Sequence, residues 1–387
     1  MENRYDKYKD SGIAWIGEIP EHWEITSFKR KITINNGKDY KDFLDAEIYP
    51  VMGSGGCFAY CSNYMYDGEA LLLGRKGTID KPLYVKGKFW AVDTMFYAIP
   101  HANLDCKFAY YLALMFPFNL YSTSTSLPSL TQTDLGNILV AFPFLSEQQS
   151  IATYLDQKCG EIDELITLQE EMITKLQSYK QSVITEAVTK GLDKNVSLKD
   201  SGIEWIGEIP EHWKITKIQY LAQLKSGYNL TTEEIKDSGL YPVYGGNGIR
   251  GYYDKYFLEG DYVLIGRQGA LCGNINYSTG KSWATEHAVV CYPKTKYITK
   301  WFGELLRVMN LNQYSLAAAQ PGLAVERIKL LPIPIIPLSE QQSIANYLDQ
   351  KCSEIDELIS IKQQKIEKLK DYKKSLIFEC VTGKRKV

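Results

Sequence analysis

The sequence predicts an α+β protein: two mixed α/β domains joined by two long helices that form an antiparallel coiled coil, with a pseudo-two-fold internal duplication. Three observations predict it. The segment KDSGIAWIGEIPEHW at residues 9–23 returns as KDSGIEWIGEIPEHW at 199–213, with Ala14 against Glu204 the one difference. LSEQQSIATYLDQKCGEIDELI at 145–166 returns as LSEQQSIANYLDQKCSEIDELI at 338–359. The residues after each second block then carry a heptad pattern of apolar side chains. Offsets of 190 and 193 mean that the enclosed stretches differ in length by three residues, although their sequences barely match. Two repeats of this size are a duplicated domain and not a solenoid, which needs three or more short repeats. The expected boundaries are 1–145 for the first domain, 146–191 for its long helix, 192–337 for the second domain and 338–387 for the second helix.

Composition agrees with two globular domains. The chain has 387 residues, 45% of them hydrophobic and 23% charged;. No apolar run reaches the length of a membrane span, and MENRYDKYKD is not a secretory leader, so a cytoplasmic protein without membrane contact is expected;. Of eight cysteines, Cys57 and Cys61 are close together but have no second pair or histidine at ligand spacing;. Free thiols and no metal are expected. There is no GxSxG, HExxH or P-loop, and no NPPY or DPPY of the kind used to transfer methyl groups to base amines. His101 and His287 are assigned no role. A binding protein is expected, not an enzyme.

Each long helix is read from its period. Placing seam positions at Ile151, Lys158, Leu165, Met172 and Tyr179, alternating with Leu155, Ile162, Gln169, Leu176 and Val183, fills eight of ten with apolar or tyrosine side chains. The second copy, Ile344, Lys351, Leu358, Lys365 and Tyr372 with Leu348, Ile355, Lys362, Leu369 and Leu376, fills seven;. Ser146 with Gln149 and Ser339 with Gln342 predict capping boxes at the helix starts. Charge predicts how the helices pair. Residues 147–171 sum to −6 and 172–190 to +2, against −4 for 340–361 and +6 for 362–386. A parallel pair sets acid beside acid, whereas an antiparallel pair sets −6 against +6 and −4 against +2. Antiparallel pairing follows.

Between the repeated blocks, AEIYPVMG, ALLLGRKG, DYVLIGRQG and AVVCYP read as strands, with helices at about 106–115 and 298–308;. GLDKNVSLKD at 191–200 is a polar link into the second repeat;. Extended proline-rich exits, VAFPF and LPIPIIP, lead into the long helices;.

A tandem duplication with SGIxWIGEIPEHW opening each half and LSEQQSIAxYLDQK opening a long helix resembles the DNA-specificity subunit of type I restriction–modification systems. The resemblance covers essentially the whole chain. It implies that each variable middle is a target recognition domain for one half of a bipartite double-stranded DNA site. It also implies that the helices space the domains, and that the repeated frame docks two methyltransferase subunits. Restriction and translocase subunits join in the full complex. S-adenosylmethionine, ATP and Mg belong to those partners, with no cofactor on this chain.

With DNA as the expected ligand, charge favours the second middle. Residues 214–337 hold fourteen basic and nine acidic side chains, while 24–144 hold eleven of each;. The best matched element is GRKG at 74–77 against GRQG at 266–269. Here glycines let backbone amides approach a phosphate while Arg75 or Arg267 reaches phosphate or guanine, with Lys76 and Gln268 beside them. The alternative is a structural turn whose arginine pairs with an acid. Specificity is expected from what differs: Ser124, Thr125 and Ser126 in the first middle, and Asn247, Arg250 and Gln320 in the second. Trp15 and Trp23, with their copies Trp205 and Trp213, pack on the core with partial exposure to a partner. A related bipartite-site modification system or a two-headed scaffold that binds no DNA are the competing readings.

Overall fold

The computed structural model describes residues 4–122, 127–269, 271–315 and 322–387. The chain divides into two compact units, Met1–Glu170 with Gln363–Val387, and Glu171–Lys362. Four helices organise them: α1 (Cys106–Ala113), α2 (Leu145–Lys190), α3 (Thr299–Val308) and α4 (Leu338–Val381). Each unit holds the start of one long helix and the end of the other.

Both units open on the same frame. Tyr8–Asp10 pairs antiparallel with Glu18–Pro20, and Leu198–Asp200 with Glu208–Pro210. Ile19 and Trp23 are fully buried, as are their copies Ile209 and Trp213. Beyond the frame the first unit has a six-stranded sheet in the order Ile32–Asn36, Met95–Pro100, Tyr66–Gly74, Leu83–Ala91, Tyr49–Gly53, Gly56–Cys61. Only Tyr49–Gly53 beside Leu83–Ala91 is parallel. The second unit repeats this order in two four-stranded pieces. Its counterpart of Leu83–Ala91 is split into Ile275–Ser278 and Lys281–Ala284, with Gly280 at φ 60° in the break;. The helices α1 and α3 cover the sheets at the expected places, and Asp105 caps α1 by accepting from the Phe108 N–H.

The repeated SEQQ is a clamp rather than a capping box. Helix α2 opens at Leu145, and the Phe144 carbonyl accepts from the Glu147 and Gln148 amides, so Ser146 already lies in the first turn. Glu147 instead accepts from Trp23 Nε1 at 3.2 Å and Tyr5 Oη at 2.6 Å, and meets His22 Nε2 at 2.8 Å. Burial, reinforced by the Glu147 carboxylate, raises the Tyr5 phenol well above its ordinary pKa;. In the second unit Glu340 accepts from Trp213 Nε1 at 3.0 Å and meets His212 at 2.8 Å. The next residue faces the other way. Buried Gln148 accepts from the Asp105 amide and donates to the Asn103 and Pro143 carbonyls. Gln341 likewise joins the Ile298 amide to the Ile336 carbonyl. One dipeptide therefore ties the helix start to the frame and to the variable middle. A further repeated tie is Lys107 with Asp156, matched by Lys300 with Asp349 at 3.3 Å.

The antiparallel pairing holds within each unit. In the first, Tyr154, Asp163 and Glu170 interact in that order with Arg385, Lys373 and Lys370, the Lys373–Asp163 contact being 2.6 Å. In the second, Lys180 meets Asp356 at 2.6 Å. The seam itself differs from the expected one at alternate positions. Leu155, Ile162, Gln169, Leu176 and Val183 face the partner helix, but their companions are Cys159, Ile166, Ile173, Lys180 and Ala187. In α4 the companions are Cys352, Ile359, Ile366, Lys373 and Cys380. The expected Leu165, Met172, Tyr179, Leu358, Lys365 and Tyr372 are exposed. Two apolar rows run side by side on each helix, and the true seam carries lysines whose charge is met across it by Asp163 and Asp356. Counting apolar residues does not single out the expected row, since in α2 each row has four of five.

Replacing Glu147 by Ala leaves the Trp23 indole N–H, inside a fully buried ring, without its acceptor. It should lower stability by about 1–3 kcal/mol. Replacing exposed Glu161 by Ala should stay within about 0.5 kcal/mol. Urea unfolding of both variants checks the difference.

Candidate nucleic-acid interface

At one end of each sheet, several turns are stacked backbone against backbone. In the first unit Gly74 closes its strand so tightly that a Cβ there would fall 2.3 Å from the Thr78 carbonyl oxygen, and Gly77 sits at φ 81°;. The amides of Arg75 and Lys76 both donate to Thr94 O, at 2.8 and 3.3 Å, and that of Gly77 to Pro128 O at 2.9 Å. Those amides are therefore committed to neighbouring turns and do not form the phosphate cradle expected of GRKG. The Arg75 carbonyl accepts from the Leu130 amide at 3.0 Å, which fixes the far end of the variable loop. Only side chains are left to reach a ligand. Arg75 bonds the Asp93 carbonyl at 3.3 Å and lies over the Phe96 ring, Lys76 is exposed, and neither pairs with a carboxylate among the described residues.

The second unit builds the same turn with different side chains. Arg267 N donates to His287 O at 2.8 Å, Leu323 N to Arg267 O at 2.9 Å, and the Arg267 guanidinium to Ser226 Oγ at 3.2 Å. Arg267 has no carboxylate partner among the described residues, so the acid-paired alternative holds for neither arginine. A Cβ on Gly266 would fall 2.2 Å from Gly246 O, and one on Gly246 would fall 3.2 Å from His287 O. The turns at 245–248, 266–269 and 285–288 consequently meet at one point. Asn247, Gln268 and His287 emerge there, and the Arg250 stem packs over Gly245. Asn274 Nδ2 donates to Asn247 Oδ1 at 2.6 Å, and His287 Nδ1 lies 3.1 Å from Gln268 Oε1. GNGIRG at 246–251 has dinucleotide-loop spacing, but it forms a strand-to-strand hairpin with no helix start to receive a phosphate;.

Sequence reasoning missed a third strip. Gly37 and Gly227 cross so close to the 91–95 and 284–288 turns that a Cβ on either would fall 2.0 Å from a carbonyl oxygen. The next residues, Lys38 and Tyr228, emerge exposed beside the cluster, and their carbonyls are held by Trp90 Nε1 and Trp283 Nε1 at 2.8 and 3.3 Å. His287 and Asn274 were missed as well, although Glu286 precedes His287 and contacts it at 3.0 Å. Aligning the two middles on the repeated frame, at its offset of 190, would have exposed Gly37 against Gly227. Ser124, Thr125, Ser126 and Gln320 lie outside the described residues.

The four frame tryptophans divide. Trp23 and Trp213 have no exposed surface and donate to Glu147 and Glu340, so they are core residues and closed to a partner. Trp15 and Trp205 are half-buried, with Trp15 edge-on to Phe116 at 6.1 Å.

Residues 20–177 and 210–371 each match the type I restriction modification DNA specificity domain. The chain belongs to that family. It is 40% identical over 158 residues to the EcoprrI specificity subunit of Escherichia coli, an alignment covering 41% of this chain and 38% of that one. The MjaVIII specificity subunit of Methanocaldococcus jannaschii aligns over 95% of this chain and 94% of its own, at 24% identity. The fold matches a chain from a structure of type I R-M complex assembly and conformational transition. That match has a TM-score of 0.74 at 16% identity and covers 94% of this chain and 98% of the other. The HsdS subunit of Thermoanaerobacter tengcongensis matches at a TM-score of 0.53 and 15% identity, with the same coverage. The two relatives from Escherichia coli and Methanocaldococcus jannaschii are specificity subunits of type I restriction enzymes. No helix among the described residues is long and apolar enough to cross a membrane.

Truncating fully buried Trp23 to Ala should cost about 3–5 kcal/mol. Truncating half-exposed Trp15 to Ala should cost clearly less. Denaturant midpoints of the two variants, measured side by side, test the assignment.

Proposed function

We propose that this chain is the DNA-reading subunit of a type I restriction–modification enzyme, each unit reading one half of a bipartite duplex site through its stacked-turn cluster. The observation that carries this reading is the same turn scaffold, built twice on nearly identical frames, with different side chains on it. Arg75 and Arg267, shared by both clusters, position the duplex by phosphate or guanine contacts. Lys38 and Lys76 on one side, and Tyr228, Asn247, Arg250 and Gln268 on the other, give each unit its own selectivity. Ser124, Thr125, Ser126 and Gln320 add to the selectivity of the same two readers. The long helices set the spacing between half-sites.

The same reading assigns the partners. Two methyltransferase subunits dock, one for each frame, through Trp15 or Trp205 and the exposed apolar row on the long helices. In the first unit that row includes Leu165, Leu168 and Tyr372, the last 53% exposed. In the second, Met172, Leu176, Tyr179 and Leu358 line a groove of about 360 Å³. An apolar stripe of this kind, rimmed by lysines, suits an amphipathic helix. S-adenosylmethionine, ATP and Mg act on the partner subunits, and restriction and translocase subunits complete the assembly.

The complex should bind a gapped duplex with strong salt dependence. Replacing Arg75 by Ala should weaken binding and lower the slope of log K against log salt by about one, without changing the second half-site. Salt-independent association, or equal affinity for any duplex, would instead favour a protein scaffold. A four-residue insertion near Gln169 adds roughly 6 Å of helix, and the preferred gap should lengthen by about one to two base pairs with unchanged half-sites. Mapping methylated bases in cells that carry each variant with its partners reads both effects.

A further inference from the structure

The geometry points to His287 and Asn274 as positioning residues that turn the amides of Gln268 and Asn247 donor-outward, so that the second unit selects an acceptor-rich base edge, guanine O6 and N7. This rests on the reading of the unit as a DNA reader. An amide oxygen only accepts, so the 3.1 Å contact between Gln268 Oε1 and His287 Nδ1 requires a hydrogen on Nδ1;. The other ring nitrogen, Nε2, lies 3.0 Å from a carboxylate oxygen of Glu286, which fixes the ring from its far side. The two contacts hold the ring between amide and carboxylate, and they leave Gln268 Nε2 facing away from the ring. The second amide is set the same way. Asn247 Oδ1 accepts from Asn274 Nδ2 at 2.6 Å, which leaves Asn247 Nδ2 as its outward donor.

The backbone beneath keeps the two amides together. Gly246, between Gly245 and Asn247, lies so close to His287 O and Gln268 O that a Cβ there would fall 3.2 and 3.5 Å from them. Asn247 and Gln268 are exposed and extend from adjoining turns. In the major groove, guanine offers two acceptors side by side, whereas adenine offers one acceptor and one donor. Two amides whose oxygens are already engaged match the first pattern. The first unit has Lys76 where the second has Gln268, and Thr94 where it has His287. The buttressed amide is therefore a property of the second unit alone.

The test uses the full chain with its partner subunits and reads base preference at every position of both half-sites by binding to a randomised bipartite duplex. In the parent complex, one or two positions of the second half-site should require guanine on one strand. Gln268→Ala and His287→Ala should each relax the same position by roughly ten-fold or more. The double variant should be no more relaxed than Gln268→Ala alone, and the first half-site should keep its preference throughout. His287→Asn, which retains a donor, should recover part of the selectivity. Asn274→Ala, which frees the second amide, should relax the same position and supplies an independent arm if His287→Ala does not fold. Adenine at the affected position would mean that the amide is turned over, and would overturn the proposal. So would His287→Ala leaving intact a preference that Gln268→Ala removes. A parent complex with no bipartite preference at all would instead sink the DNA-reading assignment itself.

Discussion

The fold depends on one carboxylate used twice. Glu147 and Glu340 sit in the first turn of a long helix and accept the indole N–H of a fully buried tryptophan in the frame. Without that acceptor, Trp23 and Trp213 would hold a buried donor without a partner, and the frame would lose its fixed angle to the helix. The adjacent glutamines complete the joint. Gln148 and Gln341 spend their amides on backbone groups of the middle, so the helix start, the frame and the sheet form one rigid corner. The residues at this corner are the ones the two repeats share almost letter for letter, and the sheet beyond it is free to differ.

That division explains what could be read in advance. Repeats, the long helices, their antiparallel sense and the two sheet-covering helices all follow from periodicity, charge and near-identity, which are local or additive signals. The seam was misplaced at alternate positions because each helix has two apolar rows, and only tertiary packing decides which one faces inward. Lys180 and Lys373 look like solvent residues in sequence, yet they lie in the seam because Asp356 and Asp163 meet them across it. At the GRKG turn the glycines were legible but their use was not. The amides of Arg75, Lys76 and Gly77 go to carbonyls at Thr94 and Pro128, partners separated by many residues in the chain. His287 and Asn274 escaped notice for the same reason, since their importance lies in side chains brought to them by other turns.

The two middles also show how a scaffold tolerates drift. One continuous strand, Leu83–Ala91, becomes two in the second copy, with Gly280 in the break, yet strand order and the parallel pairing survive. Glycines hold the positions where backbones touch: Gly37 and Gly227 against the neighbouring turn, Gly74 and Gly266 at the strand ends. A side chain at any of these would force the turns apart, so variation is confined to the residues beside them. Selectivity can then change without the scaffold being rebuilt.

The partition of the long helices has a consequence for the order of assembly during synthesis. The second unit is a single uninterrupted stretch of chain, Glu171–Lys362, whereas the first needs both Met1–Glu170 and Gln363–Val387. Leu376, Ile377, Cys380 and Val381 fill the core of the first unit, beside residues made more than two hundred positions earlier. Domains generally mature from the amino terminus as they leave the ribosome. Here the unit that begins first is completed last. Its apolar seat for those four side chains stays open until the end of α4 arrives, and the intervening domain is already whole by then.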